Sequence, residues 1–138
     1  MRLLPLLLFI VSASAFTQAA PDIDEARAQS NYMLNCQGCH LADGTGLPGS
    51  VPSMRGIVGS FLAVPGGRDF LVQVPGSANA PLSNAELAEL LNWILTTMSA
   101  EQLTPDFQYY TEAEVEQMRQ HTLMNVAEVR AGLVAKMQ

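Results

Sequence analysis

Cysteine is nearly absent from this chain, since only Cys36 and Cys39 occur among its 138 residues. Histidine is as scarce, with His40 and His121 the only two. A structural zinc site needs four Cys or His ligands and would have to recruit His121, while a thioredoxin-like redox pair needs a βαβ setting that this sequence does not show. The chain also has no paired carboxylates in a shared motif, no Ser/His/Asp set and no phosphate-binding loop. These absences leave no visible hydrolytic or phosphoryl-transfer machinery.

Apolar runs long enough to interact with a membrane occur only at the amino terminus. A basic residue, Arg2, precedes an apolar stretch over residues 3–11, and small residues follow up to Ala15. This stretch is shorter than the roughly 20 residues that a transmembrane helix needs. Residues 1–19 are therefore predicted to be a secretory signal peptide, cleaved after Ala15 or Ala19. The mature protein is expected to be exported to the periplasm, soluble and without a membrane span; an uncleaved anchor is the alternative.

Basic side chains are also few, with 7 Lys and Arg against 13 Asp and Glu, so the full chain has a net charge of −6. Removal of the signal peptide takes away Arg2 and makes the mature chain one charge more negative. An acidic chain is a poor match for nucleic acid. Its charge suits steering toward a basic patch on another protein.

Both cysteines and one of the two histidines lie in a single run, Cys36-Gln37-Gly38-Cys39-His40. This is the spacing of c-type haem attachment, in which each thiol adds across a haem vinyl group and the following histidine binds the iron. The run predicts one covalently bound haem c. Cys36 and Cys39 are the expected thioether links, and His40 is the expected proximal iron ligand.

The remaining sequence predicts helices and loops, since no alternation is strong enough for a sheet. Helices are predicted over 24–39 and 67–74, from a capping box at Ser83 through Met98, from a second capping box at Thr111 to about His121, and over 125–137. The segment 41–81 is rich in glycine and proline, and loops of this length are expected to pack on the haem. The prediction is an all-α fold, with a haem domain over 20–99 and a helical C-terminal extension over 100–138. The apolar stripes of the extension are expected to pack on the haem domain; a docking surface for a partner is the alternative.

Several of these motifs together resemble the class I cytochromes c. Tyr32 stands four residues before Cys36, residues 43–49 look like the glycine-rich loop that follows the haem histidine, and residues 51–56 are similar to a proline-containing stretch of the family. The resemblance extends over roughly residues 24–99 and implies a few helices packed around one haem. In that family the proline carbonyl accepts a hydrogen bond from the second ring nitrogen of the axial histidine. The resemblance therefore implies this role for Pro52.

One family feature is missing. Class I cytochromes c usually carry a methionine as the sixth iron ligand in the loop before the last helix, commonly followed by proline. Here residues 71–81 contain no methionine, and Val74 stands before Pro75. Since valine cannot bind iron, the sequence leaves the sixth ligand unassigned.

Four residues remain as weak candidates for that ligand. Met98 lies on the apolar stripe of the helix that follows Ser83, so a core position is favoured. Met54 follows Pro52 and is expected to pack. Met118 and His121 lie in the extension, where they could fold back over the haem, although a lone histidine is more often a surface residue.

Because no other catalytic motif is visible, the predicted haem indicates one-electron chemistry at iron as the function. The leading hypothesis is a periplasmic electron carrier, not an enzyme, that works between a periplasmic dehydrogenase and a downstream cytochrome or oxidase. Its redox partners are expected to bind in transient, electrostatically guided encounters. The missing methionine supports an alternative, an open-site haem protein that acts as a ligand sensor or small haem enzyme, with Gln73 and Asn79 as the polar residues able to face a ligand. A haem subunit of a larger dehydrogenase is a third possibility.

Overall fold

The computed structural model describes residues 19–137, so the predicted signal peptide lies outside the described residues except for its last position. The α-helices of this part are α1 (Glu25–Asn35), α2 (Gln37–His40), α3 (Gly67–Gln73), α4 (Pro75–Ala78), α5 (Asn84–Met98), α6 (Glu112–Met118) and α7 (Val126–Val134). Two 3-10 segments, Val58–Ala63 and Ala100–Gln102, lie between them. Within the described range the extended pairing is limited to an isolated bridge between Leu47 and Val51. The predicted all-α fold is confirmed.

The first predicted helix is in fact two helices. α1 begins at an N-cap formed by Asp24, whose carboxylate accepts a hydrogen bond from the backbone N–H of Arg27 at 3.0 Å. It ends before Cys36, where a φ of −125° departs from helical geometry. α2 follows at once and contains Gly38, which is a poor helix former. The prediction of one continuous helix over 24–39 was therefore wrong at Cys36, where α1 ends and α2 begins.

α5 is the central helix and begins as the sequence predicts. The Ser83 hydroxyl accepts from the backbone N–H of Glu86, and the Glu86 carboxylate accepts from the backbone N–H of Ser83, which confirms the capping box. α1 packs against α5 through Tyr32, whose ring centroid lies 5.6 Å from that of Trp93. At the other end of this contact the Arg27 guanidinium donates two hydrogen bonds of 2.7 Å to the Glu89 carboxylate. Both contacts fix α1 on the α5 surface, and the cysteines follow at the end of α1.

The long glycine- and proline-rich segment contains more helix than the sequence predicts. α3 ends at Gln73, one residue before the predicted end, and both the 3-10 segment Val58–Ala63 and α4 were missed. These short elements depend on tertiary contacts: the rings of Phe61 and Phe70 stack at 5.2 Å, and Gly67 lies so close to the Phe61 carbonyl that a β-carbon would clash with it. Periodicity cannot indicate such contacts, because the residues that meet are far apart in sequence.

The C-terminal extension packs on the rest of the chain. Its second predicted capping box is confirmed at Thr111 and Glu114, although α6 and α7 end at Met118 and Val134, before the predicted His121 and Met137. Most of the core is apolar and comes from residues between Tyr32 and Leu95, and Tyr110, Val115 and Leu133 of the extension are buried in it. The buried Asn92 amide of α5 donates to the Tyr110 carbonyl at 3.0 Å and accepts from its N–H at 2.8 Å. In the part of the chain that the structure describes, no helix has the length and hydropathy needed to cross a membrane.

Candidate haem-binding site

α2 brings the predicted haem-attachment residues together. The carbonyl of Cys36 accepts hydrogen bonds from the backbone N–H groups of Cys39 at 3.2 Å and His40 at 2.9 Å. Cys36 is half-buried and Cys39 is exposed, and the two sulfurs are not joined in a disulfide. One tight turn therefore presents two thiols and an imidazole on a short stretch of backbone, as double thioether attachment to one macrocycle requires.

The protonation states of these groups suit structural attachment and iron binding. Burial, followed by the nearby Cys39, raises the pKa of the Cys36 thiol to about 11, so it is not a reactive thiolate at neutral pH. Burial also lowers the pKa of His40 below its ordinary value, although the Pro52 carbonyl acts on it in the opposite direction. His40 is therefore mostly uncharged at neutral pH, and neutral imidazole is the form that binds a metal.

The surroundings of the second ring nitrogen of His40 indicate whether this site fits a haem. Nδ1 is buried, and among the residues described it has no hydrogen bond of regular geometry. The Pro52 carbonyl is nevertheless close enough to influence the imidazole as a hydrogen-bond acceptor. A metal-binding histidine usually donates its other N–H to such an acceptor, which fixes its orientation. This buried nitrogen beside a carbonyl fits an imidazole whose Nε2 binds iron.

The loop after His40 holds Pro52 in place. The His40 carbonyl accepts from the backbone N–H of Gly46 at 3.1 Å, and Leu47 and Val51 bond to each other through both backbone groups at 2.9 and 2.8 Å. Gly46 has a φ of +70°, and a β-carbon there would lie 2.8 Å from the Pro52 carbonyl oxygen and closer still to that of Val51. Only glycine allows the chain to turn this sharply at that point.

A buried tyrosine connects this loop to α1. The Tyr32 hydroxyl donates a 2.6 Å hydrogen bond to the carbonyl of Leu41. Leu41 has a φ of +60°, which is a strained conformation for a branched side chain. Burial, followed by the charges of Cys36 and Asp43, raises the pKa of Tyr32 to about 12, so its hydroxyl stays protonated and able to donate. The backbone is thereby held in place directly after His40.

The four candidates for the sixth ligand have different surroundings, although Met54, whose backbone N–H donates to the Gly44 carbonyl at 2.8 Å, lies near Met98. Met98 is half-buried beside the loop that follows His40, and a β-carbon on Gly44 would lie 2.6 Å from its sulfur. Met54 and Met118 are half-buried and pack against the apolar core. His121 is exposed. The structure does not bring these four side chains together.

The loop in which the family carries its methionine is held by an arginine that sequence reasoning missed. The Arg119 guanidinium donates to the carbonyls of Ala78 at 2.8 Å and Leu82 at 2.7 Å, and also to that of Ala80. Val74, at the start of this loop, is half-buried and packs against the core. A residue of the extension thus fixes the shape of a loop that lies about 40 residues earlier in the chain. A local sequence pattern cannot indicate such a contact.

A second arginine, whose position was not predicted from the sequence, lines a cavity beside Pro52. This cavity has a volume of about 510 Å³, and its walls include Leu47, Pro52, Ile57 and the side chain of Arg130 from α7. Arg130 is its only formally charged lining residue, and within residues 19–137 it forms no ion pair with a carboxylate. Another groove, of about 480 Å³, contains neither cysteine nor His40 and lies between the start of α1 and the segment before α6.

Comparison with known proteins gives a consistent result. The chain is 32% identical over 102 residues to a cytochrome c-552 of Thermus thermophilus, an alignment that covers 61% of this chain and 78% of that protein. It is also 32% identical over 102 residues to a second cytochrome c-552 from a named strain of Thermus thermophilus, of which 69% is covered. A scan against protein-family models gives no match. The helical fold, the attachment run on α2 and this similarity together show that the chain belongs to the class I c-type cytochromes, electron carriers with covalently bound haem c.

Proposed function

We propose that this protein is a periplasmic one-electron carrier that accepts electrons from a periplasmic dehydrogenase and passes them to another cytochrome or an oxidase. The observation that carries the proposal is the arrangement of Cys36 and α2, where two cysteines and an uncharged, half-buried His40 lie on one turn. When bound, haem iron supplies reversible one-electron exchange. The absence of other catalytic motifs in the sequence favours transfer over catalysis.

The chain's own residues have separate roles in this proposal. Cys36 and Cys39 hold the macrocycle through thioether bonds, and His40 is the proximal ligand. Pro52 orients His40 through its carbonyl, which keeps the imidazole in the tautomer that presents Nε2 to iron. Arg130 lines the cavity beside Pro52 and would supply the positive charge to hold a haem carboxylate there.

Covalent attachment and electron transfer are tested on the purified mature protein. We expect a coloured protein whose mass exceeds that of the polypeptide by one haem, and loss of both properties in the Cys36→Ala, Cys39→Ala double variant. A Met124→Ala control, changed at an exposed site in the extension, should keep both. The reduced protein is then mixed with c-type cytochromes and with a terminal oxidase. Failure of all of them to oxidise it would argue against a carrier.

The role of Arg130 is tested by removing its charge. Arg130→Gln should lower the midpoint potential, because loss of a nearby positive charge favours the more positive ferric state. Lys136→Gln is the matched control, since it removes the same charge from an exposed position shortly after α7. Equal potentials in the two variants would contradict the pairing.

A second candidate function follows from the loop before α5. Val74 packs against the core and Arg119 holds three carbonyls of the loop, so an open sixth position is the alternative proposal, in a sensor or small haem enzyme. Rapid binding of carbon monoxide to the reduced protein would favour it. Absence of binding would favour a six-coordinate carrier.

A further inference from the structure

The groove between the start of α1 and the segment before α6 is separate from the candidate haem site. Its volume of about 480 Å³ is within the range of about 300–1,000 Å³ that ligand sites have. It meets α1 only in the first turn, at Arg27. Asn35, the last residue of α1, lies about 12 Å further along the helix, at a rise of about 1.5 Å per residue. The groove is thus at the end of α1 away from the cysteines.

Hydrogen bonds fix both walls of this groove to its floor, which is one face of α5. The Asn92 side chain of α5 is bonded to both backbone groups of Tyr110, at 2.8 and 3.0 Å, and holds the extension wall. On the other wall the Arg27 guanidinium donates two bonds of 2.7 Å to the Glu89 carboxylate of α5. Both walls are therefore held in place by contacts within the chain itself.

The inside of the groove is mostly apolar. Ala85 and Ala88 lie on the same face of α5, three residues apart, and their small side chains leave room above the helix. Half-buried Ile23 and Tyr109 lie on the two walls. An aliphatic chain can pack on these surfaces, and a cation over the Tyr109 ring would be attracted to its face.

The edge of the groove is acidic. Four carboxylates line it against one guanidinium, that of Arg27, which is already paired with Glu89. Within residues 19–137 the other three carboxylates form no ion pair; these are Asp22, Glu86 and Glu112. Asp22 precedes α1 on one wall, and Glu112 begins α6 on the other, and both are exposed. The groove therefore has an excess of negative charge on both sides.

We propose that this groove binds a basic segment of a partner protein, with lysine stems on the apolar floor and ammonium groups beside Asp22 and Glu112. Lysine suits such a site, because its methylene stem packs on apolar surface while its charged end stays in water. Since the carboxylates lie on both walls, a segment with several basic residues matches more of them than one small cation does. The partner is anchored away from α2, so this inference goes beyond the proposed carrier function and does not depend on it.

The probe is a trilysine peptide with both ends blocked, added to the isotope-labelled holoprotein and followed by NMR. We expect saturable shifts of the backbone amide signals of the groove residues. The same peptide with acetylated lysines has lost its charges and should not bind. The double variant Asp22→Asn, Glu112→Gln should raise the Kd of the trilysine peptide about fivefold, the combined effect of two exposed ion pairs. Absence of saturable shifts at the groove would overturn the proposal.

The matched control is the double variant Glu101→Gln, Glu128→Gln, which removes the same charge from two exposed positions outside the groove. It should raise the Kd by less than about twofold, a bound set by long-range attraction that salt screens. Equal weakening by both double variants would overturn the groove as the binding site. Equal affinity for a single blocked lysine would overturn the assignment to a protein segment. Unchanged unfolding midpoints establish that both variants are folded.

Discussion

At the scale of single residues, the site depends on glycines whose backbone approaches other backbone atoms. Gly46 and Gly49 have φ angles of +70° and +79°. They differ in their surroundings, because a β-carbon on Gly46 would meet the carbonyls of Val51 and Pro52, whereas one on Gly49 would meet nothing within 4 Å. Alanine substitutions at these two glycines therefore distinguish the loss of stability caused by a left-handed backbone from the further loss caused by displacing Pro52.

We expect Gly49→Ala to lower the free energy of unfolding by about 1 kcal/mol, the usual cost of a left-handed residue with a β-carbon. Gly46→Ala should cost about 3 kcal/mol, because rigid backbone must also move. Since that movement displaces the Pro52 carbonyl from His40, Gly46→Ala should also shift the haem spectrum. Denaturant unfolding and optical spectra measure both effects. Equal destabilisation by the two variants would contradict this account of the loop.

Met98 is expected to stabilise the fold without binding iron. Its sulfur lies beside Gly44, and its side chain packs against the core. Met98→Ala should therefore lower the free energy of unfolding by about 2 kcal/mol, as the loss of a half-buried side chain does, and leave the iron spectrum unchanged. His121→Ala, at an exposed position, should change neither property. A changed electron paramagnetic signature in either variant would identify it as the sixth ligand.

At the scale of elements, one tie between the extension and the rest of the chain is an ion pair that joins α3 to α6. The Arg68 guanidinium donates to the Glu114 carboxylate at 2.9 and 3.0 Å and lies 4.1 Å from the centre of the Tyr110 ring. Burial opposes the ionisation of Glu114 and is the largest single influence on its pKa. Hydrogen bonds from Arg68 and Thr111 outweigh burial and hold the pKa below its ordinary value. The tie therefore depends on a carboxylate that is easier to ionise in the folded chain.

This tie should weaken in acid. Because the folded pKa of Glu114 lies below its ordinary value of 4.5, its contribution to stability is complete above that pH and is lost as pH falls through the folded pKa. The free energy of unfolding should therefore fall less steeply below pH 4.5 in Glu114→Gln than in the natural protein. Urea unfolding at a series of pH values measures this. Other carboxylates, such as Glu86 and Glu89, also have lowered pKa values, so parallel curves would assign the acid effect to them instead.

The ends of the helices show how far local sequence determines these elements. The capping boxes at Ser83 and Thr111 were predicted correctly because each one is complete within four residues. The break at Cys36 and the helix α4 were not predicted, because neither α2 nor α4 begins with a side-chain cap that a sequence motif could indicate. The same limit applies to the candidate site: spacing alone predicts Cys36, Cys39 and His40, whereas Arg119 and Arg130 reach their positions only through the packing of the extension.

At the scale of the whole molecule, the extension completes the core. Tyr110, Val115 and Leu133 are each at most 5% exposed. Burial of one such side chain contributes about 1.5–3 kcal/mol. Together they account for a large part of the roughly 5–15 kcal/mol by which a domain is usually stable. Asn92 would moreover lose both of its partners on Tyr110 if the extension were removed.

A chain that ends at Leu103 is therefore expected not to fold cooperatively. The matched control ends at Val134, which removes only residues beyond α7 and should lower the unfolding midpoint by a few degrees at most. Near-ultraviolet circular dichroism and thermal unfolding of both purified chains test this. A shorter chain that unfolds in one sharp transition would contradict this and show that the chain up to Leu103 folds without residues 104–138.

The hydrogen bonds of Arg119 also affect the susceptibility of this protein to proteolysis. A protease must draw an extended strand of its substrate into its cleft, so a loop whose carbonyls are held by one guanidinium resists cleavage without local opening. The segment between α3 and α5 should thus remain uncut during limited digestion, although it lies at the surface and joins two helices. In Arg119→Ala the same segment should become the first point of nicking.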